Sequence, residues 1–130
     1  MIGLDTNVLL RLFMTDDPWQ SDRARRFVDA ATVDEACVVN SVVLAEFART
    51  LARAFKKGAE VARLIAEVLS ADDIEIPNRR AAEGALSAYR SGKADFPDYF
   101  LAEINAELGC ASTATFDGDA LDSPAFSPVP

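Results

Sequence analysis

Four short apolar runs punctuate this chain, at residues 2–4, 36–39, 74–76 and 110–116. Each is too short for a helix and is bounded by polar or turn-forming residues, so each reads as a buried strand. Between them lie longer stretches with apolar residues at spacings of three and four, the mark of helices that bury one face. Residues 7–14 form a short helix rich in Leu and Val, which Asp5 or Thr6 can cap. Asp16-Asp17-Pro18 opens a second helix, with Trp19, Ala24, Phe27 and Val28 as its apolar stripe. Asn40-Ser41 caps a third, which carries Leu44, Phe47, Ala48, Leu51 and Phe55 and stops at Lys56-Lys57-Gly58. Residues 59–70 and 79–91 give two more, the latter stopped by Gly92. Asp95-Phe96-Pro97-Asp98 opens the last, and Gly109 closes it. Such alternation predicts an α/β three-layer domain with a central, mainly parallel sheet flanked by helices. The sheet has four strands, or five if residues 126–129 add an edge.

The length of 130 residues fits one domain spanning residues 1–130, and a 50% hydrophobic content is enough for a core without disulfides. Cys37 and Cys110 sit beside apolar residues and form no CxxC pair, which predicts reduced, buried thiols in a cytoplasmic protein. The N-terminus has an acid at position 5 and no basic segment before it, so no signal peptide is expected. No apolar run approaches the roughly 20 residues of a membrane span.

The chain has no histidine, which removes Ser–His and Cys–His catalysis and histidine-bound zinc or haem. Its net charge is −8, whereas a simple nucleic-acid binder is usually basic. An acidic balance suits either a solvated acidic surface or a site that collects carboxylates around a cation.

The carboxylates are not scattered. Ligands bind open parallel sheets outside the carboxyl ends of the strands. Asp5 follows the first apolar run and Asp117 the fourth, so the chain itself puts both at that edge. Glu46 lies early in the helix after the second run, which starts at the same edge. Asp98 lies in the first turn of the last helix, with no clear strand before it. Converging acids repel one another without a cation. Hard divalent ions take oxygen ligands, polarise phosphoryl oxygens and lower the pKa of bound water, so a nucleophile arises without histidine. Each acid also has a local structural use. Asp5 and Asp95 are candidate helix caps, with Asp98 complementing the helix dipole. Glu46 can pair with Arg49 or Thr50. Asp117 can form a turn before Gly118.

Four segments together resemble the motifs of PIN domains. IGLDTNVLLRLF resembles the opening strand and its Asp-Thr-Asn turn, and VVNSVVLAEFARTL the second motif, with serine before a helix and glutamate inside it. GKADFPDYFLAEINAELGC and ATFDGDA look like the third and fourth. Order, spacing and flanking residues match over essentially the whole chain, and the size is that of the minimal bacterial form, the VapC-type toxin of VapBC toxin–antitoxin pairs. The resemblance implies a PIN fold and an endoribonuclease dependent on Mg²⁺ or Mn²⁺. It maps the catalytic, metal-holding acids onto Asp5, Glu46, Asp98 and Asp117, with Asp95 in support. Thr6, Asn7, Ser41 and Thr115 fall beside the motif acids, where they orient carboxylates or water. Water as attacker implies products with 5′-phosphate and 3′-hydroxyl ends. Arg11, Arg49, Arg53, Arg90 and Lys93 are candidate phosphate clamps. A cognate antitoxin and a homodimer are implied partners.

Three rival readings make different demands. An aspartyl-phosphate phosphatase would use Asp5 as nucleophile, but wants a second acid where Asn7 stands. A signalling receiver wants paired acids after its first strand, and Asp16-Asp17 lies beyond a helix. A catalytically inactive acidic adaptor of the same fold would be indifferent to divalent metals and to change at Asp5.

Overall fold

A computed structural model describes residues 1–130. The first half is two successive crossover units joining parallel strands. Strand β1 (Ile2–Gly3) leads through α1 (Thr6–Phe13) and α2 (Pro18–Ala31) to β2 (Cys37–Val38), and β2 leads through α3 (Ser41–Ala54) and α4 (Gly58–Ser70) to β3 (Ile74–Glu75). The three strands are parallel in the order β1-β2-β3, with Ile2 opposite Cys37 and Cys37 opposite Ile74. Helices α5 (Arg79–Ser91) and α6 (Phe96–Glu107) follow, packed on each other. Strand β4 (Thr113–Thr115), a 3₁₀ turn (Ala120–Asp122) and β5 (Phe126–Pro128) complete the chain.

All five strands pair in parallel, including the edge strand expected near residue 126. Their backbone hydrogen bonds divide them into a three-stranded sheet and a separate β4–β5 pair. The strands are also shorter than the apolar runs. Strand β4 spans three residues and not the expected seven, because β5 is its only partner and is itself three residues long.

The core lies between the three-stranded sheet and the helices, with Leu9, Cys37, Val39, Leu44, Phe47, Leu51, Ile65, Phe96 and Phe100 fully buried. The predicted α3 stripe is its centre. Helix α3 nevertheless stops at Ala54, where the backbone of Phe55 turns extended, and Gly58 opens α4 instead of ending α3. Gly109 ends α6 as expected. Its φ of +96° is a left-handed conformation that glycine adopts without strain. The amides of Gly109 and Cys110 donate to the carbonyls of Ala106 and Asn105, a Schellman closure. That closure holds Cys110 at the surface, so of the two thiols only Cys37 is buried. Burial, and secondarily the Asp73 charge, push the Cys37 thiol above its ordinary pKa, which keeps it protonated.

The α2 stripe is corrected more sharply. Val28 is buried, but Trp19 is 66% and Phe27 50% exposed. The stripe is real as a helix face, and α1 packs beside it, yet the rings of Trp19 and Phe27 are left uncovered. There Arg23 stacks over the Trp19 ring at 4.7 Å. No helix is long and apolar enough to cross a membrane.

Candidate active site

Asp5 lies two residues beyond β1 and is the N-cap of α1, its Oδ1 accepting the Val8 amide at 3.1 Å. Its Oδ2 has no protein partner, so capping leaves one oxygen free. Thr6, the next residue, donates its hydroxyl to Glu46 Oε2 at 2.7 Å. Glu46 stands on the face of α3 opposite Leu44, Phe47 and Leu51, and neither Arg49 nor Thr50 is its partner. The Thr6 bond ties the start of α1 to α3 across the edge where β1 and β2 end. It brings Glu46 to the mouth of an open cleft of about 520 Å³, which Asp5, Thr6, Asn7, Glu46, Arg49, Thr50 and Arg53 line.

Asp98 reaches the site by a different route. Residues 92–95 join α5 to α6 and lie against Tyr99, whose buried hydroxyl accepts the Ala94 amide at 3.1 Å. Gly92 is obligatory there, because a Cβ would sit 1.9 Å from the Tyr99 hydroxyl oxygen. Asp95, the N-cap of α6, donates its amide to Asp98 Oδ2 at 3.3 Å. Asp98 is half-buried, and its carboxyl is pushed above the usual aspartate range chiefly by that burial. The Asp95 amide opposes the shift, the charges of Asp117 and Asp95 add to it, and Arg49 offsets part of it.

Asp117, two residues beyond β4, closes a tight polar turn. Its amide donates to Thr115 Oγ1 at 2.9 Å, and its own Oδ1 accepts the Asp119 amide at 3.0 Å. The turn-forming use of Asp117 is therefore real, and it coexists with an electrostatic reach to Asp98. Ser41 opens α3, but its hydroxyl bonds to none of the acids; the cap is Asn40, which accepts the Val43 amide. Asn7 is exposed at the rim of the Asp5 cleft.

The acids thus form two groups, Asp5 with Glu46 and Asp98 with Asp117. Arg49 lines both the Asp5–Glu46 cleft and the small cavity beside Asp95 and Asp98. No three Asp, Glu or Cys side chains are close enough together to hold one ion among them. The donor set nonetheless fits a hard divalent cation. It is all oxygen, and Mg²⁺ is commonly held by one or two carboxylates while keeping several waters. Asp98 is made more basic chiefly by burial, with the charges of Asp117 and Asp95 adding to the shift.

The candidate cations separate by partner. Arg11 is tied to Asp16 at 2.8 Å and to Gln20, and Lys93 faces Asp122 at 3.6 Å. Arg90 lines a different cleft, with Gly58 and Tyr89. Arg49 and Arg53 face the Asp5 cleft with no carboxylate partner. The dual position of Arg49 and the support from Tyr99 are not legible in the sequence. Both depend on residues from separate helices meeting in space.

A parallel α/β chain with carboxylates where its strands end places its candidate site at the edge where open parallel sheets bind ligands. The family model of the PIN domain matches residues 2–126, and the chain belongs to the PIN domain family. PIN domains are generally metal-dependent nucleases. Neither the curated proteins nor the solved structures compared with the chain gave a match.

Proposed function

We propose that this chain is a Mg²⁺- or Mn²⁺-dependent endoribonuclease, and that it is the VapC-type toxin of a VapBC toxin–antitoxin pair, a single cytoplasmic PIN domain spanning residues 1–130. The observation that carries the reading is that Arg49 lines both the Asp5–Glu46 cleft and the cavity beside Asp98, which supports treating the two acid groups as one site. Asp5, Glu46, Asp98 and Asp117 hold the ion. A divalent ion, when bound, polarises the phosphodiester and supplies an ionisable water to a chain that lacks histidine. Thr6 fixes the Glu46 carboxylate, the Asp95 amide fixes Asp98, and Thr115 fixes the turn that carries Asp117. Arg49 and Arg53 clamp phosphate, which offsets the repulsion between an acidic pocket and the RNA backbone.

The uncovered face of α2 supports the partner side of the reading. Trp19 and Phe27 form an exposed apolar patch that suits a protein surface, either the antitoxin or a second copy.

The test is cleavage of a mixed RNA pool by purified protein with Mg²⁺, with Mn²⁺ and with EDTA, beside Asp5→Asn. Cutting should require metal, fall by about a hundredfold or more in the variant, and leave 5′-phosphate and 3′-hydroxyl ends. A folded wild type that cuts nothing under any metal favours the inactive adaptor instead.

A further inference from the structure

Asp98 is the one member of the acid set that no strand end and no threonine puts in place. Asp5 and Asp117 lie just beyond β1 and β4, and Thr6 holds Glu46. Asp98 depends instead on three hydrogen bonds within residues 94–99. The Tyr99 hydroxyl accepts the Ala94 amide at 3.1 Å. The Asp95 amide donates to Asp98 Oδ2 at 3.3 Å, and the Asp98 amide donates back to the Asp95 carbonyl at 3.1 Å. Ala94 directly precedes Asp95 and Tyr99 directly follows Asp98, so the outer bond clamps the two inner ones. Oδ1 of Asp98 has no protein partner and is left for a ligand.

Capping α6 needs only the inner bonds. The outer bond is an addition, and the chain is built around it. Ala94 is 6% and Tyr99 3% exposed, and the Ala94 amide has no partner but the hydroxyl. A buried amide without that acceptor is unsatisfied, so the loop would shift to bring it to water. The same hydroxyl excludes any side chain at position 92, although the Gly92 φ of −97° is open to every residue. Space for Tyr99, and not backbone conformation, therefore demands that glycine.

We propose, on the reading of these acids as a metal site, that Tyr99 is a positioning residue whose hydroxyl locks the 94–99 loop so that Asp98 meets the cation already oriented. Residues that orient a metal-holding side chain without touching the ion commonly set its affinity by about ten- to a hundredfold.

The experiment is a mutant cycle read by Mn²⁺ titration of metal-free protein. Tyr99→Phe keeps the ring and removes only the hydroxyl. It should weaken Mn²⁺ uptake by about tenfold or more in the wild-type background and again beside Asp5→Asn. Beside Asp98→Asn it should cost less than about twofold further, because its effect passes through Asp98. A merely destabilising change would weaken all three backgrounds alike. In EDTA, Tyr99→Phe should also speed hydrogen exchange at the Asp95 amide. Undiminished uptake in folded Tyr99→Phe, or an equal loss beside Asp98→Asn, overturns the proposal. If Tyr99→Phe does not fold, exchange in wild type decides. The Ala94 and Asp95 amides should open together, and an Asp95 amide that exchanges freely while Ala94 stays protected overturns the lock. If wild type takes up no Mn²⁺ while the Asp95 amide still depends on Tyr99, the lock stands and the metal reading fails. If that amide is also indifferent to Tyr99, both fail.

Discussion

Thr6 and Glu46 are forty positions apart in sequence and share a 2.7 Å hydrogen bond. No periodicity reveals such a pair. Asp5 and Asp117 were legible because each directly follows an apolar run that becomes a strand, and strand ends define the ligand edge. Glu46 was legible only as a polar residue on a buried helix, and of its local partners, Arg49 and Thr50, neither bonds it, since Thr6 does so from another helix. Asp98 carries the clearest chemical signature of the four, a carboxyl raised mainly by burial and then by neighbouring acids. The sign of its linkage follows. In metal-free protein a raised folded pKa gives a contribution to stability that is present below the unfolded aspartate value of about 3.9 and is lost as pH rises through the folded value. Asp98→Asn should flatten that part of the stability–pH profile, measured by urea unfolding in EDTA. A profile unchanged by the substitution would remove Asp98 from the account. The same raised proton affinity makes protons compete with the cation, so metal uptake should weaken on acidification sooner than for an ordinary aspartate.

Elements were legible where a helix meets the core and less so where it meets solvent. The α3 stripe is buried as its spacing implies, whereas α2 shows the same spacing with Trp19 and Phe27 left in water. Period identifies the residues that share a face, but the covering of that face depends on what packs there, and here the packing reaches Val28 and leaves Trp19 and Phe27 uncovered. Similarly, the Schellman closure at Gly109 is written in the glycine, while its consequence, an exposed Cys110, depends on where the following strand begins. The α5–α6 junction makes a firm element-level prediction. Gly92→Ala puts a methyl group against the Tyr99 hydroxyl and within 2.9 Å of the Ala88 carbonyl oxygen, and Tyr99 is too buried to swing aside. The substitution should destabilise the fold by about 1–3 kcal/mol in urea denaturation. Because it displaces the loop that leads into Asp95 and Asp98, RNA cleavage should fall further than the loss of folded protein explains. Wild-type stability in the variant would show that the loop does not depend on that close contact.

For the whole molecule, the parallel crossovers were foreseeable from alternation alone, but the division into a three-stranded sheet and the β4–β5 pair was not. That division is set by where strand edges meet, and two- and three-residue strands carry too little pattern to specify it. The site straddles the division, with Asp5 and Glu46 at the end of the larger sheet and Asp117 at the end of the smaller. We propose that these acids act together on one cation, although no three of them cluster without it. Titration of Mn²⁺ into the metal-free protein, followed by loss of the free-ion electron paramagnetic resonance signal, tests this most directly. Wild type should take up Mn²⁺, and Asp5→Asn, Asp98→Asn and Asp117→Asn should each weaken uptake by about tenfold or more while remaining folded. Undiminished uptake in all three variants, or none in the folded wild type, would contradict the claim.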